Sequence, residues 1–129
     1  MLEIFVDGAC RGNPGPAAIG VVIKKDNEVI KEISRDIGNA TNNIAEYSAL
    51  ICALKEAKDL KAEDIEVYGD SQLVCRQVLG AYKVKHPNII PLFEEVKGLI
   101  KDFKSFKLTH VLREKNKEAD RLANMALDG

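Results

Sequence analysis

No apolar run in this 129-residue chain approaches the length of a membrane span, and 30% of its residues are charged. A helical membrane protein is therefore excluded, and so is a disordered one. A basic leader followed by an apolar stretch is also missing, because Glu3 and Asp7 punctuate the first apolar residues. No signal peptide is expected. Cysteine is scarce and unpatterned: Cys10, Cys52 and Cys75 are an odd number without metal-ligand spacing. The reading is small residues in a reducing cytoplasm rather than a disulfide framework or a zinc site. Net charge is nearly absent at −1, so no global field announces a polyanionic partner. What is present is 46% hydrophobic residues, enough at this length for one domain, 1–129, with an unstapled core.

Local charge says more than global charge. Between Ser71 and Phe93 there is no acid, but there are Arg76, Lys83, Lys85 and His86. Between Lys104 and Lys117 five basic residues face one acid, Glu114. Either run alone reads as a solvated face. Two of them beside candidate metal carboxylates suit a polyanion.

The apolar pattern predicts strands over 1–7, 18–25 and 28–36, joined by turn chemistry at Arg11–Pro16 and Asp26-Asn27. A helix over 43–60 follows, with Ile44, Tyr47, Leu50, Ile51 and Leu54 near the 3.6-residue period. Then come a strand at 65–70, a helix at 71–80, a helix at 89–102, a strand at 106–112 and a helix at 117–128. The order β-β-β-α-β-α-α-β-α is that of an α/β fold. Its mixed five-stranded sheet has three antiparallel strands, then two parallel ones, with helices on both faces.

Four acids stand at element ends in this scheme. Asp7 and Asp70 close strand-like runs, on the faces of Phe5 and Tyr68 by period-2 alternation. Glu46 falls in the first turn of one helix and Asp120 early in the last. In open α/β sheets such ends form the ligand crevice. Carboxylates gathered there repel one another unless divalent cations hold them, which points to metal-assisted phosphoryl transfer. Each acid also has an ordinary explanation: an Asp7-Gly8 turn, a capping box from Asn43 to Glu46, an N-cap at Asp70, and a macrodipole contact at Asp120.

Four ordered segments resemble the type 1 ribonucleases H. They are Asp7-Gly8-Ala9-Cys10-Arg11-Gly12-Asn13-Pro14-Gly15, Thr41-Asn42-Asn43-Ile44-Ala45-Glu46, Tyr68-Gly69-Asp70-Ser71-Gln72, and His110 through Asn116 to Asp120-x-Leu122-Ala123. The resemblance implies two Mg²⁺ or Mn²⁺ ions held by Asp7, Glu46, Asp70 and Asp120, with Asp7 bridging. It implies hydrolysis of the RNA strand of an RNA–DNA hybrid duplex, giving 5′-phosphate and 3′-hydroxyl ends. It also implies hybrid contacts from Gly8, Cys10, Arg11, Gly12 and Asn13, from Thr41, Asn42 and Asn43, and from Ser71 and Gln72. Tyr82, Lys83, Lys85, Arg113 and Asn116 complete that set. The family reads RNA by its 2′-hydroxyls, and Glu46 would meet one of them.

Two departures stand out. The loop before Asp120 has no histidine: His110 lies earlier, inside the predicted strand with a structural role, leaving Arg113 or Glu114 to substitute. The basic, tryptophan-bearing protrusion of some members is also absent, since the chain has no tryptophan and the connector Tyr82–Pro87 is short. A monomer acting on hybrids is expected. A nuclease for double-stranded or structured RNA, or a non-catalytic hybrid-binding module, is the alternative.

Overall fold

A computed structural model describes all residues, 1–129. Strands β1 (Leu2–Cys10), β2 (Gly15–Lys25) and β3 (Glu28–Ala40) precede helix α1 (Asn42–Asp59). Strand β4 (Asp64–Gly69), helices α2 (Gln72–Val78) and α3 (Ile90–Ile100), strand β5 (Ser105–His110), a 3₁₀ turn (Arg113–Lys115) and helix α4 (Lys117–Asp128) follow. The strands form one sheet in the order β3-β2-β1-β4-β5. β1 pairs antiparallel with β2 and parallel with β4, and β4 pairs parallel with β5. This is the mixed sheet that the element order predicts.

Burial explains the layers. Leu2, Ile4 and Val6 of β1 and Ile65 and Val67 of β4 are buried with Tyr47, Leu50 and Leu54 of α1. On β2 every residue from Ala17 to Ile23 is buried, because α1 packs on one face of that strand and α4 on the other. α3 packs against α1; of its apolar stripe only Val96 is fully buried, and Ile90 is exposed. No helix is long and apolar enough to cross a membrane.

Several boundaries differ from expectation. β1 does not stop at Asp7 but runs on to Cys10, because the ladder with β2 continues to Cys10↔Ala17. The turn is confined to the residues between Cys10 and Gly15, closed by a hydrogen bond from Arg11 N–H to the Pro16 carbonyl at 2.8 Å. β3 extends past residue 36 to Ala40 through an irregularity opposite Ala17/Ala18. The helix expected over 71–80 spans only Gln72–Val78.

On the second face α4 lays Ala119 and Leu122 against Val22, with Phe5 beside them. This approach requires a glycine: a β-carbon at Gly20 would overlap the Ala119 carbonyl and crowd the Ala123 nitrogen. Because both obstacles are backbone, relief requires α4 to move. Gly20→Ala should therefore destabilise the fold by at least the ~1–3 kcal/mol typical of overpacking. Urea unfolding checks this; a midpoint equal to wild type would show that α4 is not held at backbone distance.

Candidate active site

The parallel ladder between β1 and β4 ends at Val6↔Gly69, and the next residue on each strand is an aspartate. Asp7 stays paired to β2 opposite Gly20, while Asp70 begins the turn into α2. Glu46 enters from α1. One carboxylate oxygen from each of Asp7, Glu46 and Asp70 lies within 4.8 Å of the others. The Gly8 N–H donates to the Glu46 carboxylate. A side chain at Gly8 would overlap the backbone of Ala45 and Glu46, so this glycine brings strand and helix into contact. An open cleft of ≈ 220 Å³ lies over the cluster, lined also by Asn42, Asn43, Ser71 and Arg113.

None of the ordinary explanations for these three acids survives. Asp7-Gly8 is strand, not turn. Thr41 caps α1, its hydroxyl accepting from the Ile44 N–H at 3.2 Å. This places Glu46 in the second turn rather than the first, out of reach of a capping box with Asn43. Ser71 caps α2, accepting from the Val74 N–H at 3.3 Å, so Asp70 is not the cap. Its Oδ2 is buried without a hydrogen-bond partner.

The electrostatics follow from crowding. Asp7 is 5% exposed. Burial pushes its carboxyl far above the usual range, and the charges of Glu46 and Asp70 push it further. Burial raises Glu46 as well, partly offset by the Gly8 N–H and by the nearby Arg113. A divalent cation fits this donor set. The ligands are hard oxygens without nitrogen or sulfur, the donors that hard divalent cations take. Such an ion would relieve the repulsion and give the unpartnered Asp70 oxygen a contact.

Asp120 borders this triad without joining its closest grouping. It sits in the first turn of α4, its carboxylate adds to the rise at Asp7, and its Oδ1 accepts from Asn124 Nδ2 at 3.1 Å. Three of the four expected acids are thus drawn together, with the fourth on the facing helix.

The other expected residues fall into distinct places. Asn13 Oδ1 accepts from the Asn42 N–H at 3.1 Å, joining the hairpin turn to the start of α1. Asn13, Thr41, Asn42 and Asn43 line a larger cleft of ≈ 480 Å³ together with Gln77, His86 and Asn88. Asn42 and Asn43 line both clefts, so the two are contiguous. The sequence does not single out Gln77 or Asn88. Only the fold reveals that the buried Tyr47 hydroxyl bonds Gln77 Oε1 at 2.8 Å and so fixes that amide at the cleft.

The Cys10 thiol turns inward to the Ala40 carbonyl at 3.0 Å. Arg11, beside the exposed Gly12, pairs with Asp128 at the surface. Gln72, Lys83 and Lys85 are exposed, as is Tyr82, which lies 5.3 Å from the Arg76 guanidinium.

His110 lies in the strand, as expected, as its exposed last residue. One expectation is corrected. Asn116 is not placed to touch a substrate: it is 1% exposed, and its Nδ2 donates to the Val6 carbonyl at 2.8 Å. Its Oδ1 is buried with no hydrogen bond from another protein group.

Known proteins share this fold and much of this sequence. The family described as reverse transcriptase-like matches residues 5–126. Ribonuclease HI of Halobacterium salinarum is 47% identical over 128 residues, covering 98% of this chain. The chain belongs to the type 1 ribonuclease H family. The bifunctional protein Rv2228c of Mycobacterium tuberculosis is 43% identical over 127 residues, covering 97% of this chain. The chain spans 64% of the length of the first relative and 35% of the second. The crystal structure of LC11-RNase H1 in complex with RNA/DNA hybrid superposes with a TM-score of 0.94 at 40% identity, covering 99% of this chain and 97% of that one.

The raised Asp7 carboxyl makes stability depend on pH. Folded Asp7 binds its proton more tightly than unfolded Asp7, whose value is near 3.8. The stability this contributes is complete below that value and is lost as pH rises through the folded one. In EDTA, Asp7→Asn should melt above wild type near neutral pH, with the gap closing towards pH 4. Saturating Mg²⁺ should narrow or reverse it. Parallel melting curves at every pH would refute the crowding.

Proposed function

We propose that the chain hydrolyses the RNA strand of RNA–DNA hybrids, leaving 5′-phosphate and 3′-hydroxyl ends, with two Mg²⁺ or Mn²⁺ ions held by Asp7, Glu46, Asp70 and Asp120. The observation that carries this reading is the convergence of three buried or half-buried carboxylates within 4.8 Å at the end of the parallel ladder, in a chain of this family. Bound there, the ions supply Lewis-acid polarisation of the phosphate and stabilise the attacking and leaving oxygens.

The chain's own residues do the rest. The Gly8 N–H orients the Glu46 carboxylate, leaving its second oxygen for an ion or an RNA 2′-hydroxyl. Asp7, held by the β1–β2 ladder, lies next to both Glu46 and Asp70 and faces Asp120, so it would help hold the ions together with each of these acids. Arg113 brings the one positive charge lining the acid cleft, suited to a phosphate oxygen beside the scissile bond.

The neighbouring cleft is lined by amides, a hydroxyl and an imidazole without an acid. Such donors position a backbone without reading its sequence. The solved complex of LC11-RNase H1 with hybrid supports the same substrate class here. All three cysteines are free, which supports a reducing compartment such as the cytoplasm.

The test incubates the protein with labelled hybrid, double-stranded RNA and single-stranded RNA in Mg²⁺, Mn²⁺ or EDTA. Hybrid should be cut in metal alone, and Asp7→Asn should abolish cutting. Asp70→Asn should cost at least about a hundredfold in kcat, the scale of losing one group that stabilises transition-state charge, with the metal-free melting temperature unchanged or higher. Cleavage of double-stranded RNA with hybrid untouched would replace this reading with the structured-RNA one. Tight hybrid binding without cutting in any metal would leave only a binding module.

A further inference from the structure

We propose that Asn116 is the positioning residue that sets Asp120 against Asp7. This rests on the metal-site reading given above. Asn116 precedes α4, where asparagine ordinarily accepts a hydrogen bond from the helix's first N–H groups. Here its side chain makes no such cap. The amide is turned away from the helix, and Nδ2 donates to the Val6 carbonyl at 2.8 Å. Val6 is the last residue of the β1–β4 ladder and the residue before Asp7.

The backbone of Asn116 completes the connection. Its carbonyl accepts from the Asp120 N–H at 3.1 Å, and its own N–H donates to the Arg113 carbonyl at 2.9 Å. One residue therefore ties together the strand that carries Asp7, the helix turn that carries Asp120, and the 3₁₀ turn that holds Arg113 over the acids. At 1% exposure the amide is committed to this link, because a buried polar side chain is held by its hydrogen bond. Capping would be served as well by aspartate or serine. The bond to Val6 needs a donor, which aspartate lacks.

Asp7, Glu46 and Asp70 come from β1, α1 and the end of β4, and Asn116 makes no hydrogen bond to the last two. Losing its amide should therefore spare the ion held by the triad and weaken the one that also needs Asp120. The test titrates Mn²⁺ into the metal-free full chain by calorimetry, using wild type, Asn116→Asp, Asn116→Ala and Asp120→Asn. Melting temperatures and hybrid kcat and KM are measured alongside.

The expected result is tight Mn²⁺ uptake retained within about threefold in both Asn116 variants. Weaker uptake and kcat should fall tenfold or more, the scale of losing an outer-shell partner of a metal ligand, with KM unchanged. Asn116→Ala combined with Asp120→Asn should lose no more kcat than Asp120→Asn alone, since both act on one element. If either variant unfolds, Asn116→Ser takes its place.

Asn116→Asp matching wild type in both uptake and kcat would show that capping suffices and overturn the inference. Additive losses in the double variant, or an equal weakening of both uptake steps, would overturn it too. Wild type that binds no Mn²⁺ would instead overturn the metal-site reading itself.

Discussion

The site depends on where two parallel strands stop pairing. β1 and β4 run together from Leu2 and Ile65 to Val6 and Gly69, held by side chains that α1 covers. Hydrogen bonding and burial act together up to that rung. One residue further, each strand presents a carboxylate instead of an apolar side chain. The cluster is unfavourable in isolation, since like charges at this spacing resist shared ionisation. It persists because the rigid sheet beneath cannot spread the two strand ends without breaking the buried ladder. The acids are therefore fixed before any ion arrives, which is what a preorganised site requires.

Much of this was legible in the residues. Alternation placed Asp7 with Phe5 and Asp70 with Tyr68, and those rings do stack across the two strands at 4.8 Å. The element order gave the sheet its hairpins and crossovers. What stayed hidden was the competition between polar groups for local partners. Thr41 and Asn43 are both plausible caps for α1, and only the bond to Ile44 N–H decides for Thr41, moving Glu46 one turn inward. Ser71 displaces Asp70 from a cap by the same kind of choice. Asn116 falls in a segment rich in charge that reads as surface, yet it is buried through a contact 110 residues away in the chain. Contacts of that separation leave no periodic trace.

On the proposed reading, the two contiguous clefts would divide the handling of a duplex by chemistry. The acid cleft, lined by Asp7, Glu46 and Asp70, would admit a phosphate only together with cations. The larger cleft has no acid in its lining and can receive a phosphate through neutral donors alone. The hairpin turn and the start of α1 are joined by the Asn13–Asn42 bond, and the two clefts share the wall made by Asn42 and Asn43. On that reading, a duplex seated in one would be placed in register with the other, and the shaped wall would take over part of the work of the missing basic protrusion.

The Phe5–Tyr68 stack has a consequence of another kind. In a chain without tryptophan, the near-ultraviolet signal comes chiefly from three tyrosines in three settings, beside four weaker phenylalanines. Tyr47 is sealed in the core, Tyr82 stands in solvent, and Tyr68 lies between, clasped to Phe5 two residues below the acids. The ring pair spans the same two strands whose separation sets the distance between Asp7 and Asp70. The molecule thus carries a built-in optical gauge directly beneath its own site, where no engineered label is needed to watch the strands respond.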